Sequence, residues 1–451
     1  MPEYCSVDGM INRRQGTDAV EYGIGFALAM PSNWNGRLLF QGGGGCDGAI
    51  FAPYGMNAAG DVPALARGFA VISMDGGHKS EESLDASFKK DQQAALDFAF
   101  NAVPTVTRLG KDAVAAYFGR GPHHTYSDGC STGGREGMLG AERYPGLFDG
   151  IISGDPAMRT ANTRTAGWSA TIAFNRIAPR DANGNPLRLQ AFPLQDQKLL
   201  HDAVAQQCDA LDGLKDGLIL NLAACKFDPA VLRCKREKTA SCLSSEQILA
   251  LKTAFGGPHD GQGNPLYASF PYDLGLLGEH PNSPMHILPA IVPGIYDAPP
   301  SADAADLGPE LKVRRADPTQ ILSDTNEWTD LGTFFRRGGK IIFYNGASDP
   351  WFSLYDTLDY VQRNKAANPE FDSSRLYSVP GMAHCSGGGL ERFDMLTAIV
   401  DWVEHGIAPA RIIAADWNRQ LSRPLCPWPQ YGRYTGGGDP NDAANFECRS
   451  N

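Results

Sequence analysis

The apolar positions of the chain fall in short runs, each closed by a glycine-rich or polar turn. Gly36–Phe40, Phe69–Ser73, His124–Ser127 and Gly150–Ser153 read as strands, and Lys340–Tyr344 and Arg375–Val379 resume the pattern near the end. Between the second and third runs, Asp91–Phe118 carries spaced apolar positions at Ala95, Phe98, Ala99, Ala102 and Val106. That spacing predicts the helical crossover that parallel strands require. Further helices are expected over Gly134–Tyr144 and Leu390–His405. The alternation is that of an α/β protein built on a largely parallel sheet.

From 155 to 339 the strand rhythm is absent. This stretch carries four of the ten cysteines, an acidic loop and the proline-rich segment Pro289–Pro318, and it reads as a lid domain inserted into a catalytic domain made of residues 1–154 and 340–451. The tail from Pro424 to Asn451 reads as a loop strapped down by a disulfide.

Composition narrows the function. With 40 Lys+Arg against 51 Asp+Glu the formal charge is −11, which argues against nucleic acid or an anionic membrane surface as partner. No apolar run approaches the ~18 residues of a membrane span, and 42% hydrophobic residues suffice for a large core. Cys208 and Cys225, Cys234 and Cys242, and Cys426 and Cys448 lie close in sequence, and no pair has the C-x-x-C spacing of zinc sites. They read as disulfides, hence a secreted or periplasmic protein. Met1–Cys5 has neither a basic start nor an apolar segment after it, so the chain reads as a mature form whose leader has been removed.

Gly129-Cys130-Ser131-Thr132-Gly133 matches G-x-S-x-G between a strand and a helix, the setting of the nucleophile elbow in an α/β-hydrolase fold. Ser131 is then the candidate nucleophile, with the Thr132 N–H facing an incoming carbonyl oxygen. A hydroxyl needs a base, and the base needs an orienting acid. Asp349 and His384 follow in the order Ser, Asp, His, each just past a strand. Asp356 and Asp359 follow the same strand as Asp349, but Leu354, Leu358 and Val361 place them on a helix with the acids facing solvent. Gln41–Cys46 contains four consecutive glycines, whose Gly44 or Gly45 N–H is the candidate second oxyanion donor. A lone G-x-S-x-G is common among ordinary glycine turns; three residues at three strand ends in this order are not.

Cys130 immediately before Ser131 and Cys385 immediately after His384 form a CS-D-HC arrangement that resembles the tannase and feruloyl esterase family. Gly129–Gly137, Arg143-Tyr144-Pro145 and Phe148-Asp149-Gly150 are similar to that family's nucleophile block, and the likeness runs from about Cys5 to Cys448. The resemblance implies a monomeric serine carboxylesterase that forms an acyl-enzyme from a small aromatic-acid ester: a hydroxycinnamate, a gallate or a terephthalate monoester. It implies a Cys130–Cys385 disulfide and, by analogy, Phe352 in the acyl pocket.

Cys208–Leu218 holds three carboxylates among glycine turns, a donor set suited to Ca²⁺. By resemblance Asp209, Asp212 and Asp216 would bind through side chains, and Leu214 and Leu218 through backbone carbonyls. The ion would be structural, and no organic cofactor is expected. The family's N-terminal cysteine region is missing, so Cys5 and Cys46 either pair with each other or stay free. The competing readings are an esterase of non-aromatic substrates on the same scaffold and a catalytically dead binding protein, which would lack a triad member.

Overall fold

The computed structural model describes residues 1–277 and 321–451. The proline-rich segment Pro289–Pro318 lies outside them. Eight strands form the main sheet: β1 (Tyr4–Gln15), β2 (Glu21–Pro31), β3 (Arg37–Gln41), β4 (Ala70–Met74), β5 (His124–Cys130), β6 (Gly150–Gly154), β7 (Lys340–Gly346) and β8 (Ser374–Val379). They hydrogen-bond in the order β1-β2-β4-β3-β5-β6-β7-β8. The pairs from β4 through β8 are parallel, while β1 and β2 add an antiparallel edge.

The parallel strands read as near-continuous apolar runs because both faces are covered. Leu38, Phe40, Ile72, Ile151, Ile341 and Phe343 face one core with helices α1 (Ala102–Phe118) and α2 (Thr132–Arg143). The alternate positions Leu39, Val71, Ile152, Ile342 and Tyr344 face a second core, with Leu396, Ile399 and Trp402 from a helix at Met395–His405.

The six predicted strands are present, with ends displaced by up to three residues. The crossover is not one helix. A short helix at Gln92–Leu96 and a wider turn at Asp97–Asn101 precede α1. Pro104 explains the break: it has no N–H to donate, and its ring crowds the carbonyl of Phe100. The predicted Leu390–His405 helix starts only at Met395, where the Asp394 carboxylate accepts the Thr397 N–H at 2.8 Å. Before it, β9 (Arg392–Phe393) pairs with β10 (Ile412–Ala415).

The tail is a correction in part. The Cys426–Cys448 disulfide straps it down as expected, but it is not a loop: it carries β11 (Ser422–Leu425) and a hairpin of β12 (Tyr431–Tyr434) and β13 (Phe446–Arg449). Four-residue strands among prolines and glycines leave too short a period to read.

Between β6 and β7 the described residues contribute helices and loops and no strand. The longest helices are α3 (Thr160–Ile177), α4 (Leu194–Cys208) and α5 (Ser245–Gly256), and a short one at Gly332–Arg336 leads into β7. The chain therefore has the α/β-hydrolase order of strands, interrupted by a helical insertion.

Candidate active site

The elbow is built by crowding. Ser131 sits between β5 and α2 at φ 62°, ψ −123°, a region L-residues rarely adopt and one that persists only when the surroundings over-determine it. A Cβ on Gly129 would stand 2.6 Å from the Gly133 carbonyl carbon, and one on Gly133 would stand 2.8 Å from the Gly43 oxygen. Only glycines allow the strand, the helix and the glycine loop to meet here.

The glycine loop is held to the elbow from below. Gly133 donates its N–H to the Gly43 carbonyl at 3.1 Å, and the Gly43 N–H is taken by Glu136 at 3.0 Å. Glu136, one turn into α2, is fully buried against Asp47. Burial raises both carboxyls, and their proximity to each other raises Asp47 further. The N–H groups of Gly44, Gly45 and Thr132 have no partner among the described residues, so they are available at the rim.

Past β7, the Asp349 carboxylate is fixed by the N–H groups of Trp351 at 2.7 Å and Phe352 at 3.0 Å, both on Oδ1. Its other oxygen, Oδ2, lies 2.7 Å from His384 Nδ1. The imidazole is flanked by the rings of Trp351, at 4.5 Å between centroids, and Phe352, at 5.3 Å. Cys385 is disulfide-bonded to Cys130, so the base loop is tied covalently to the residue before Ser131. Asp273, a buried residue of the insertion, accepts from Ser348 Oγ at 2.5 Å and Gly381 N–H at 2.9 Å, joining the loops of the acid and the base.

Ser131, Thr132, Gly44, Gly45, Phe352 and His384 open onto one cavity of about 580 Å³. Its walls add Phe51, Phe98 and Trp351, and three cations: Lys89, Arg135 and Arg164. No carboxylate side chain lines it among the described residues.

The remaining predicted residues are placed as follows. Cys208–Cys225, Cys234–Cys242 and Cys426–Cys448 are bonded. Cys5 and Cys46 are both free, which settles the open alternative against a pair. Cys5 lies on the edge strand β1 opposite Met30, whereas Cys46 lines the cavity and packs with Tyr22, Phe88 and Phe98. Asp356 does not face solvent: it is buried and ion-paired to Arg159, while Asp359 is exposed.

In the acidic loop, Asp209 accepts from the N–H groups of Asp216 and Gly217, and Asp212 from those of Leu214 and Leu220. Asp216 pairs with the buried Arg423. Burial, with the charges of Asp216 and Asp209 added, pushes Asp212 up to about 7. The donor set thus carries negative charge that one guanidinium leaves partly uncompensated, which fits a hard cation. Its three carboxylates are not drawn within 4.8 Å of one another, as those of a fully closed site would be.

Residues that the pattern of the sequence did not single out include Glu136, Asp273, Arg164 and Asp155. Asp155 had a usable signal: it stands at the carboxyl end of β6, beside the ends of β5 and β7. Asp273 had none, since nothing in its neighbourhood links it to the loops it joins.

A strand-end acid and histidine beside an elbow serine, within an α/β-hydrolase sheet, define the class: this is a carboxylic ester hydrolase. The chain matches the family described as "Tannase and feruloyl esterase" over residues 5–287 and 301–449, and it belongs to that family. It is 39% identical to mono(2-hydroxyethyl) terephthalate hydrolase from Piscinibacter sakaiensis, over 99% of this chain and 85% of that protein. Its fold is similar to feruloyl esterase B from Aspergillus oryzae, with a TM-score of 0.78 at 23% identity over 99% of this chain and 96% of that one. Tannin acyl hydrolase from Aspergillus niger superposes with a TM-score of 0.68 at 21% identity, over 99% and 90% of the two chains.

Proposed function

We propose that the chain is an exported serine esterase of aromatic-acid esters that carry an anionic group, with Ser131, His384 and Asp349 as its triad. Ser131 Oγ attacks the ester carbonyl as His384 Nε2 takes its proton. The oxyanion is held by the N–H of Thr132 and of Gly44 or Gly45. Collapse expels the alcohol, which leaves with that proton, and water then cleaves the acyl-serine by the same route. Asp349 keeps the Nδ1 proton in place and stabilises the imidazolium. The insertion would act as a lid, since it lends Ala157, Thr160, Arg164 and Ser323 to the cavity. The Cys208–Leu218 loop would hold a structural Ca²⁺ through Asp209, Asp212, Asp216 and the carbonyls of Leu214 and Leu218.

The observation that carries the substrate class is the cavity wall. Aromatic rings favour a planar acyl group, and a cation on the same wall favours an acid function on its far side. Arg164 has no ion-pair partner among the described residues. Among the esters implied by the family, a terephthalate monoester fits best. Turnover of the terephthalate monoester, methyl ferulate and methyl gallate tests this. The monoester should have the highest kcat/KM, and Arg164→Gln should lower it on the order of tenfold, the worth of one charge-assisted hydrogen bond, while leaving methyl ferulate unchanged. Equal use of the anionic and neutral esters would remove the anionic assignment, though not the esterase.

A further inference from the structure

A second carboxyl group stands behind the first. Asp155, the residue after β6, is wholly buried and holds a left-handed backbone at φ 35°, costly for any residue with a side chain. Its Oδ1 accepts the Gly346 N–H at 2.7 Å and the Asn345 Nδ2–H at 3.0 Å, both at the end of β7. Its Oδ2 accepts the Cys385 N–H at 3.1 Å, next to His384, and lies 3.5 Å from Cys130 Sγ, next to Ser131. Oxygens of Asp155 and Asp349 and a ring nitrogen of His384 all fall within 4.8 Å of one another. One side chain therefore touches the loops of all three proposed triad members.

We infer that Asp155 is a positioning residue for the Asp349–His384 pair, hydrogen-bonding to the Asp349 carboxylate while it anchors the ends of the loops on either side. The inference rests on the triad proposed above. Two carboxyl groups in contact and out of water do not both ionise. Burial first, and the charge of Asp349 second, raise Asp155 well above the ordinary carboxylate range, so the shared proton sits on Asp155. Asp155 then acts as an O–H donor to the Asp349 side chain that faces the imidazole. The titratable groups around it are Asp349, His384 and the buried phenol of Tyr344; Cys130 and Cys385 are oxidised and do not titrate.

The chemistry makes the test selective. Asparagine copies a protonated aspartate in part: its amide N–H can replace the O–H and it tolerates left-handed backbone, but its single oxygen can replace only one of the two that accept N–H groups here. Asp155→Asn should keep kcat within about tenfold of wild type, the worth of the one N–H contact it loses, with the acid limb of the kcat/KM–pH profile in place, because no charge is removed. Asp155→Ala leaves Asp349 without its donor and the loops without their acceptor. It should lower kcat on the order of 10²-fold, as small misplacements of catalytic groups do, with KM little changed and the Cys130–Cys385 bond intact by non-reducing mass analysis. A shift of the acid limb in Asp155→Asn would overturn the inference, since it would mean a charge had been lost. So would an Asp155→Ala variant that loses only melting temperature at full kcat. Should the alanine variant not fold, the asparagine profile decides alone. Ser131→Ala in parallel keeps the two ideas apart, because activity surviving that change would sink the triad itself.

Discussion

The chain crowds carboxyl groups in two places and balances them differently. At the strand ends, Asp155 and Asp349 meet in a dry interior where the N–H groups of Gly346, Cys385, Trp351 and Phe352 converge on them. One proton then suffices: burial and the neighbouring Asp349 raise Asp155, which holds it. In the Cys208–Leu218 loop, three aspartates share turn N–H groups and a single buried Arg423, and Asp212 is left with its carboxyl raised to about 7. Protons cannot rigidify such a loop as a divalent ion can, because each neutralised carboxyl also loses its pull on its neighbours. The sheet thus supplies preorganisation by backbone, whereas in the loop the proposed Ca²⁺ would supply it. Each difference can be tested by removing the compensating group.

The largest effect belongs to the strand ends. Asp349→Asn removes the anion that holds the imidazole tautomer and should cost on the order of 10⁴ in turnover, as the equivalent change does in serine proteases. Circular dichroism and melting should show a folded protein, because the Trp351 and Phe352 N–H groups can still bond the amide oxygen. Near-normal turnover in that folded variant would refute the triad.

Two acids on one helix give the next contrast. Asp356 and Asp359 lie three residues apart on the helix Leu354–Ala367. Asp356 meets Arg159, which is stacked over Tyr267 at 5.1 Å, and both charges are largely out of water. Asp356→Ala would strand the guanidinium and should cost about 3 kcal/mol, the usual penalty for breaking a buried pair from one side. Asp359 pairs with Arg363 in the open, so Asp359→Asn should change stability by less than ~0.5 kcal/mol. Denaturant titration of both variants measures the two values, and similar costs would contradict the burial pattern.

This pair also marks where sequence reading stops. The spacing of Leu354, Leu358 and Val361 predicted the helix, but not that α3 of the insertion begins beside Asp356 and covers it with Arg159. Strand positions, the elbow, the acid and the base were legible because each depends on local pattern: apolar runs, glycine spacing, a residue just past a strand. The CS and HC motifs went further, since their adjacency to Ser131 and His384 brings Cys130 and Cys385 together across 255 residues of chain. Both strands of the antiparallel edge escaped: most side chains of β1 are exposed and polar, so one apolar face never emerges, and Gly23 and Gly25 interrupt the apolar run of β2. Asp155, Asp273 and Glu136 escaped for another reason. Each acts by accepting N–H groups from distant loops, and a carboxylate destined for such a pocket looks in the sequence like any other acid.

A smaller effect than the loss of the Asp356 pair, and the sharpest for the comparison, concerns the loop. If the uncompensated charge there is met by Ca²⁺, the ion binds the folded loop and not the unfolded chain, and stability rises by RT ln(1 + [Ca²⁺]/Kd). At a ten- to hundredfold excess over Kd this is about 1.4–2.7 kcal/mol, or a rise of roughly 2–3 °C in melting temperature for a chain of this size. A chelator should remove the rise, and added Ca²⁺ should restore it. Asp212→Asn takes away the buried carboxylate with the highest charge burden, so its melting temperature should no longer respond to chelator. The same variant should not move kcat, because the loop lies outside the residues that line the catalytic cavity. Asp349→Asn shows the mirror image, with activity lost and the chelator response intact. If chelator leaves the wild-type melting temperature unchanged, then Arg423 and the turn N–H groups balance the loop without an ion. Both carboxyl clusters would then be compensated by the protein alone.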